Sequence, residues 1–248
     1  MKVIKDICYG KYDFDRRKLD VYLPDAEEFP VFIYFHGGGL ECGDKSLIET
    51  AATELANSGV AVVSANYSLY PDAVYPDFIR DAAAAVAWTK KHINEYGKCE
   101  HFYVGGSSAG GYLSMMLCFD RKYLAPHKLT PMDFDGFIHD AGQPTAHFNV
   151  LRERGIDSRR VMVDDSAPLY HIGIASEYPN MLFIVSDDDM PGRFVQTELV
   201  IATLRHFGYD EEKVDVRVMH GKHCHYVRQP GVFSNIIAEF IAKRKNFD

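Results

Sequence analysis

Apolar residues in this chain gather into short continuous runs that alternate with stretches spaced at three and four. Val31-Phe32-Ile33-Tyr34-Phe35, Val60-Ala61-Val62-Val63 and Met181-Leu182-Phe183-Ile184-Val185 have the pattern of strands buried on both faces. Between the first two, Leu47, Ile48, Ala51 and Leu55 recur at helical spacing behind Asp44, a good N-cap residue, and Gly59 closes the stretch. The same alternation predicts a helix over 77–96, a strand over 101–106, a helix to about residue 119 and a strand over 134–139. After the 181–185 strand it predicts a helix over 193–207, a strand over 214–219 and a last helix over 233–244. Near the start, 2–9 and 17–23 alternate apolar and polar residues around a polar turn at Asp13-Phe14-Asp15, which predicts an antiparallel hairpin.

Strands that alternate with helices are joined by right-handed crossovers and lie parallel. The expected fold is therefore doubly wound α/β: a mostly parallel eight-stranded sheet with an N-terminal antiparallel hairpin and helices on both faces. No linker-like stretch divides the 248 residues, so a single domain over 1–248 is expected. Residues at about 141–180 are too irregular and too many for a simple connection, and are read as an insertion that folds over the site as a lid. In such sheets functional groups sit in loops beyond the carboxyl ends of the strands.

Composition narrows the function more than the fold. A net charge of -8 with no dense Lys/Arg stripe argues against a nucleic-acid surface. No apolar stretch is long enough to span a bilayer, and the N-terminus meets Asp6 before any apolar run, so a cytoplasmic protein is expected. Five cysteines, Cys8, Cys42, Cys99, Cys118 and Cys224, lack the paired spacing of a zinc site or a disulfide framework and are read as reduced thiols.

Candidate chemistry centres on Gly106-Ser107-Ser108-Ala109-Gly110, between a strand and a helix. Small residues two before and two after Ser108 suit a tight turn that holds a serine in a strained conformation with its hydroxyl clear of the backbone. A serine hydroxyl needs a base, an orienting acid and donors for the developing oxyanion. Acid candidates Asp187, Asp188 and Asp189 follow one predicted strand, and base candidates His220, His223 and His225 follow the next. The chain order serine, aspartate, histidine is the one that accompanies this turn in a large hydrolase fold. A metal site from these histidines and aspartates fits no common zinc spacing, and neither metal nor cofactor is expected. Of the histidines, His220 is assigned to the strand end, and His223 is preferred to His225, whose neighbour Tyr226 is expected to turn it outward.

Through His36-Gly37-Gly38-Gly39, the Ser108 turn, the acidic run and the late histidine, the chain resembles the α/β-hydrolase family, and within it the hormone-sensitive-lipase-like esterases. The segment Asn66-Tyr67 with Leu69, Pro71, Tyr75-Pro76 and Asp81 is also similar, except that Ser68 stands where an arginine is usual. The resemblance implies an ester hydrolase with Ser108 as nucleophile, a histidine base, and an oxyanion hole at Gly38, Gly39 and Ala109, with His36 bracing the loop. Its G-x-x-D spacing, counted from Ser186, favours Asp189, leaving Asp187 or Asp188 to cap the next helix. Such esterases often carry an N-terminal helical cap, and here any cap is expected from the insertion. The implied partner is a small-molecule ester with a short acyl group, acetylated sugars being one class. An amide hydrolase such as a formamidase or peptidase, or a non-catalytic binding homologue, are the alternatives.

Overall fold

A computed structural model describes residues 1–10 and 16–245. The expected turn at Asp13-Phe14-Asp15 lies outside the described residues. Its flanks are β1 (Lys2–Cys8) and β2 (Lys18–Leu23), which pair antiparallel as the hairpin pattern predicts. In chain order the other elements are β3 (Val31–Phe35), α1 (Glu49–Asn57), β4 (Ala61–Ala65), α2 (Asp77–His92), β5 (Phe102–Ser107), α3 (Ala109–Phe119), β6 (Gly136–Asp140), α4 (Phe148–Glu153), β7 (Asn180–Asp188), α5 (Arg193–His206), β8 (Val214–Lys222) and α6 (Val232–Lys245). The eight strands make one sheet in the order β1-β2-β4-β3-β5-β6-β7-β8. From β4 to β8 every pairing is parallel.

The apolar runs are buried on both faces because helices cover both. Residues of β3 alternate sides: Val31, Ile33 and Phe35 join a core with α2 and α3, while Phe32 and Tyr34 join one with α1 and α6. Helix α3 is buried along all eleven residues and is apolar all round, as a helix in the centre of a core must be. Asp44 caps the 3-10 turn that leads into α1 by accepting the Ser46 N–H at 2.9 Å. Ser68 and Arg17 together occupy Asp81: the Ser68 N–H donates at 3.0 Å and the Arg17 guanidinium pairs at 2.8 Å. The charge paired with Asp81 thus comes from Arg17, the residue before β2.

Two strands run past their expected ends. Strands β7 and β8 continue to Asp188 and Lys222, beyond the level at which β6 stops opposite Ile184. The projecting pair is held by charge in place of apolar contacts: Asp187 accepts from His220 Nδ1 at 2.6 Å and from the Gly221 N–H at 2.9 Å, and Asp188 pairs with Lys222. Neither aspartate caps α5, whose N-cap is Gly192, so the capping expectation is corrected. Residues 141–179 connect β6 to β7 and pack on the glycine loop, where Asn149 Nδ2 donates to the Gly39 carbonyl at 3.0 Å. Among the described residues no helix is long and apolar enough to cross a membrane.

Candidate active site

Strand β5 ends at Ser107 and α3 starts at Ala109, so Ser108 alone makes the turn, at φ 57° and ψ −113°. Non-glycine residues rarely adopt such a conformation, and surrounding contacts must hold it. They are visible: the Ser108 N–H donates to the Asp140 carbonyl at 2.8 Å and its carbonyl accepts from the Tyr112 N–H at 3.0 Å. The flanking glycines let α3 approach β3. A Cβ on Gly110 would lie 1.9 Å from the Phe35 carbonyl oxygen, and one on Gly106 2.5 Å from the same atom.

The serine hydroxyl lies 2.8 Å from His223 Nε2, and His223 Nδ1 lies 2.5 Å from Asp189 Oδ1. The projecting ribbon accounts for this meeting. Asp188 and Lys222 are paired across β7 and β8, and Asp189 and His223 are the residues directly after them. The Asp189 side chain is 1% exposed and also accepts N–H bonds from Met190 at 2.7 Å and Ser186 at 3.2 Å. Burial alone would raise its carboxyl, yet the His223 ring and these N–H groups hold it below the ordinary carboxylate range. A carboxylate there fixes the proton on Nδ1 and leaves Nε2 to accept from the serine. Asp187, Asp188 and His220 stay on the ribbon, and exposed His225 lines the cleft without joining the Ser108 contacts.

The glycine loop faces Ser108 from the end of β3. Gly38 has φ 122°, and a Cβ on it would meet the Cys42 carbonyl oxygen at 2.0 Å, so only glycine fits. His36 is buried behind the loop, stacked on Tyr67 with ring centroids 4.4 Å apart, and its Nδ1–H donates to the Gly37 carbonyl at 2.7 Å. Burial pushes the imidazole down to about 4, so it is neutral. Among the described residues, the N–H groups of Gly38, Gly39 and Ala109 donate to no protein acceptor. Gly38 lines the same cleft as Ser108, and Ala109 directly follows the serine; unspent N–H donors in such places suit a developing oxyanion.

Asp140, which the sequence reading passed over, and Cys224, which it read as a reduced thiol, complete the surroundings. Asp140, at the end of β6, is wholly buried, and its carboxylate accepts from the Tyr226 hydroxyl. Burial pushes that carboxyl up to about 6. Through its backbone oxygen Asp140 holds Ser108, and through its side chain it holds the loop that carries His223. The sequence signal was an acid directly after an apolar strand, one position beyond the predicted end at residue 139. Cys224 lies with Sγ 3.7 Å from His223 Nε2, and burial pushes its thiol well up. Among the described residues no group of three or more His, Cys, Asp or Glu is placed to hold a metal ion.

Comparison with known proteins adds a family to this geometry. The BD-FAE family model matches residues 19–150, a little over half of the chain. "Esterase LipI" of Mycobacterium tuberculosis is 38% identical over 96 residues, covering 38% of this chain and 30% of that protein. "Kynurenine formamidase" of Danio rerio is 30% identical over 118 residues, covering 47% of this chain and 39% of that one. The matched stretch is thus well under half the length of either relative. Among solved structures, esterase B from Lactobacillus Rhamnosis superposes with a TM-score of 0.79 at 18% identity, over 100% of this chain and 87% of that one, and shares the α/β-hydrolase fold.

Proposed function

The chain belongs to the BD-FAE family, and from that premise we propose that it is a serine hydrolase cleaving carboxylic esters of small molecules through Ser108, His223 and Asp189. The supporting observation is the continuous chain of contacts, 2.8 Å from serine hydroxyl to imidazole and 2.5 Å from imidazole to carboxylate. Ser108 Oγ attacks the ester carbonyl carbon as His223 Nε2 takes its proton, and the new oxyanion is received by the N–H groups of Gly38, Gly39 and Ala109. Collapse expels the alcohol, which takes the proton back from Nε2. Water then repeats the cycle on the acyl-enzyme, releasing the acid and free serine. Asp189 keeps the imidazole in the required tautomer.

Short acyl groups, acetylated sugars included, are read as the substrates, and residues 141–180 as a cover whose Asn149 and Phe148 rest on the glycine loop. The whole chain is read as one domain. The five cysteines are unbridged, which supports a cytoplasmic placement. Amide cleavage is the second reading, favoured by the similarity to the formamidase and by the fact that one triad serves either leaving group. Hydrolysis of p-nitrophenyl acetate is expected to fall by about 10⁶ in kcat in Ser108→Ala, with loss of fluorophosphonate labelling. Activity that survived the substitution would sink this mechanism. A panel of acyl esters of graded length, acetylated sugars and N-formylkynurenine separates ester from amide preference.

A further inference from the structure

A cleft of about 730 Å³ opens from Ser108 between the glycine loop and the loop after β8. The chain carries 35 acidic against 27 basic residues, yet no carboxylate is among the side chains lining this cleft. Two cations line it, Lys222 and Arg228. Lys222 is neutralised by Asp188. Arg228 closes the short turn His225–Arg228 and, among the described residues, has neither a carboxylate partner nor a hydrogen-bond acceptor. Of the twelve other arginines, eight hold a carboxylate within 4.0 Å; among the described residues Arg121 and Arg160 have no side-chain partner either, but only Arg228 of these three lines the cleft. The guanidinium at the cleft is therefore charge left uncompensated where substrate enters.

We propose that Arg228 is a specificity residue and that the substrate is an ester carrying a carboxylate, which Arg228 receives while Ser108 attacks the ester carbonyl. A planar guanidinium with paired N–H donors matches a carboxylate better than any other side chain does. The cleft offers that anion no competing acid, and Lys222 is already spent. This inference rests on the ester-hydrolase reading, since it assigns the substrate class of the same site.

The test compares matched substrates that differ only in charge. 4-Acetoxybenzoate against 4-acetoxybenzamide places the charge on the leaving side; mono-p-nitrophenyl adipate against the corresponding adipamate places it on the acyl side. In the wild type the charged member of at least one pair is expected to have the higher kcat/KM, by about five-fold, mainly through KM. Arg228→Gln is expected to remove that ratio, Arg228→Lys to restore part of it, and salt at about 1 M to flatten it. Equal or neutral-favouring ratios in both pairs, or a ratio unchanged in Arg228→Gln, would overturn the proposal. If no ester is cleaved, the hydrolase reading fails and a binding measurement decides this one separately. Calorimetric titration of Ser108→Ala with 4-acetoxybenzoate and its amide then supports the proposal if the carboxylate binds more tightly and loses that advantage in Ser108→Ala/Arg228→Gln, and overturns it if the two bind alike.

Discussion

Asp189 and its neighbours illustrate what a single residue can and cannot disclose. Three consecutive aspartates are chemically alike, and only the pairing of Asp188 with Lys222 sets which one comes level with the imidazole. That pairing depends on another strand, so in the sequence only the family's G-x-x-D spacing favoured Asp189 over its neighbours, whereas Ser108 was legible because its turn demands small residues on both sides. With the geometry in hand, Asp189→Asn is expected to lower kcat by about 10³ to 10⁴ without loss of fold. Asp187→Asn and Asp188→Asn, which break exposed ion pairs, are expected to stay within about three-fold of wild type; steady-state kinetics with circular dichroism as a fold control decides. Asp140 gives a pH prediction. Its carboxyl is raised by burial to about 6, so the folded state holds a proton that the unfolded chain releases earlier. Stability from this group is present at low pH and is lost as pH rises through about 6. Asp140→Asn should therefore gain on the wild type by up to about 3 kcal/mol between about pH 4 and pH 7, read from urea midpoints. A constant difference across that range would refute the assignment.

At the scale of elements, periodicity located strands and helices wherever apolar burial drives them. It stopped short at β7 and β8 because their last residues are polar and project beyond the core, held by Asp187, Asp188, His220 and Lys222. A pattern of alternating apolar residues is blind to a ribbon built on charge. The junction of β5 and α3 is the opposite case. There the Gly106 and Gly110 spacing reports directly on how near α3 comes to the backbone of β3. Because the atom in the way is the Phe35 carbonyl oxygen and not a flexible side chain, Gly110→Ala is expected to cost at least about 3 kcal/mol in a urea titration. A cost under about 1 kcal/mol would show that the junction can widen.

For the whole molecule, the fold class followed from alternation, but the strand order did not. Apolar runs tell that a strand has helices above and below it, without saying which strand lies beside it. The order places β5, with Ser108 just past its end, fourth from the β8 edge, and Asp189 and His223 directly after the two strands nearest that edge. Strand β8 has no outer neighbour among the described residues and is largely exposed. Edge strands open more readily than central ones. Catalytic function is therefore expected to be lost before the fold: thermal inactivation should have a midpoint below that of the helical circular dichroism signal, and coincident midpoints would count against this ordering.

The ribbon of β7 and β8 has the form of a cantilever. His223 and Asp189, the proposed base and acid, ride on the same free end, one residue past its last paired positions, so a bend at its root would carry them as a unit and leave their mutual contact intact. What such a bend changes is the gap to a nucleophile anchored in the interior. On the proposed mechanism, lengthening that one contact, between His223 and Ser108, would disarm the site.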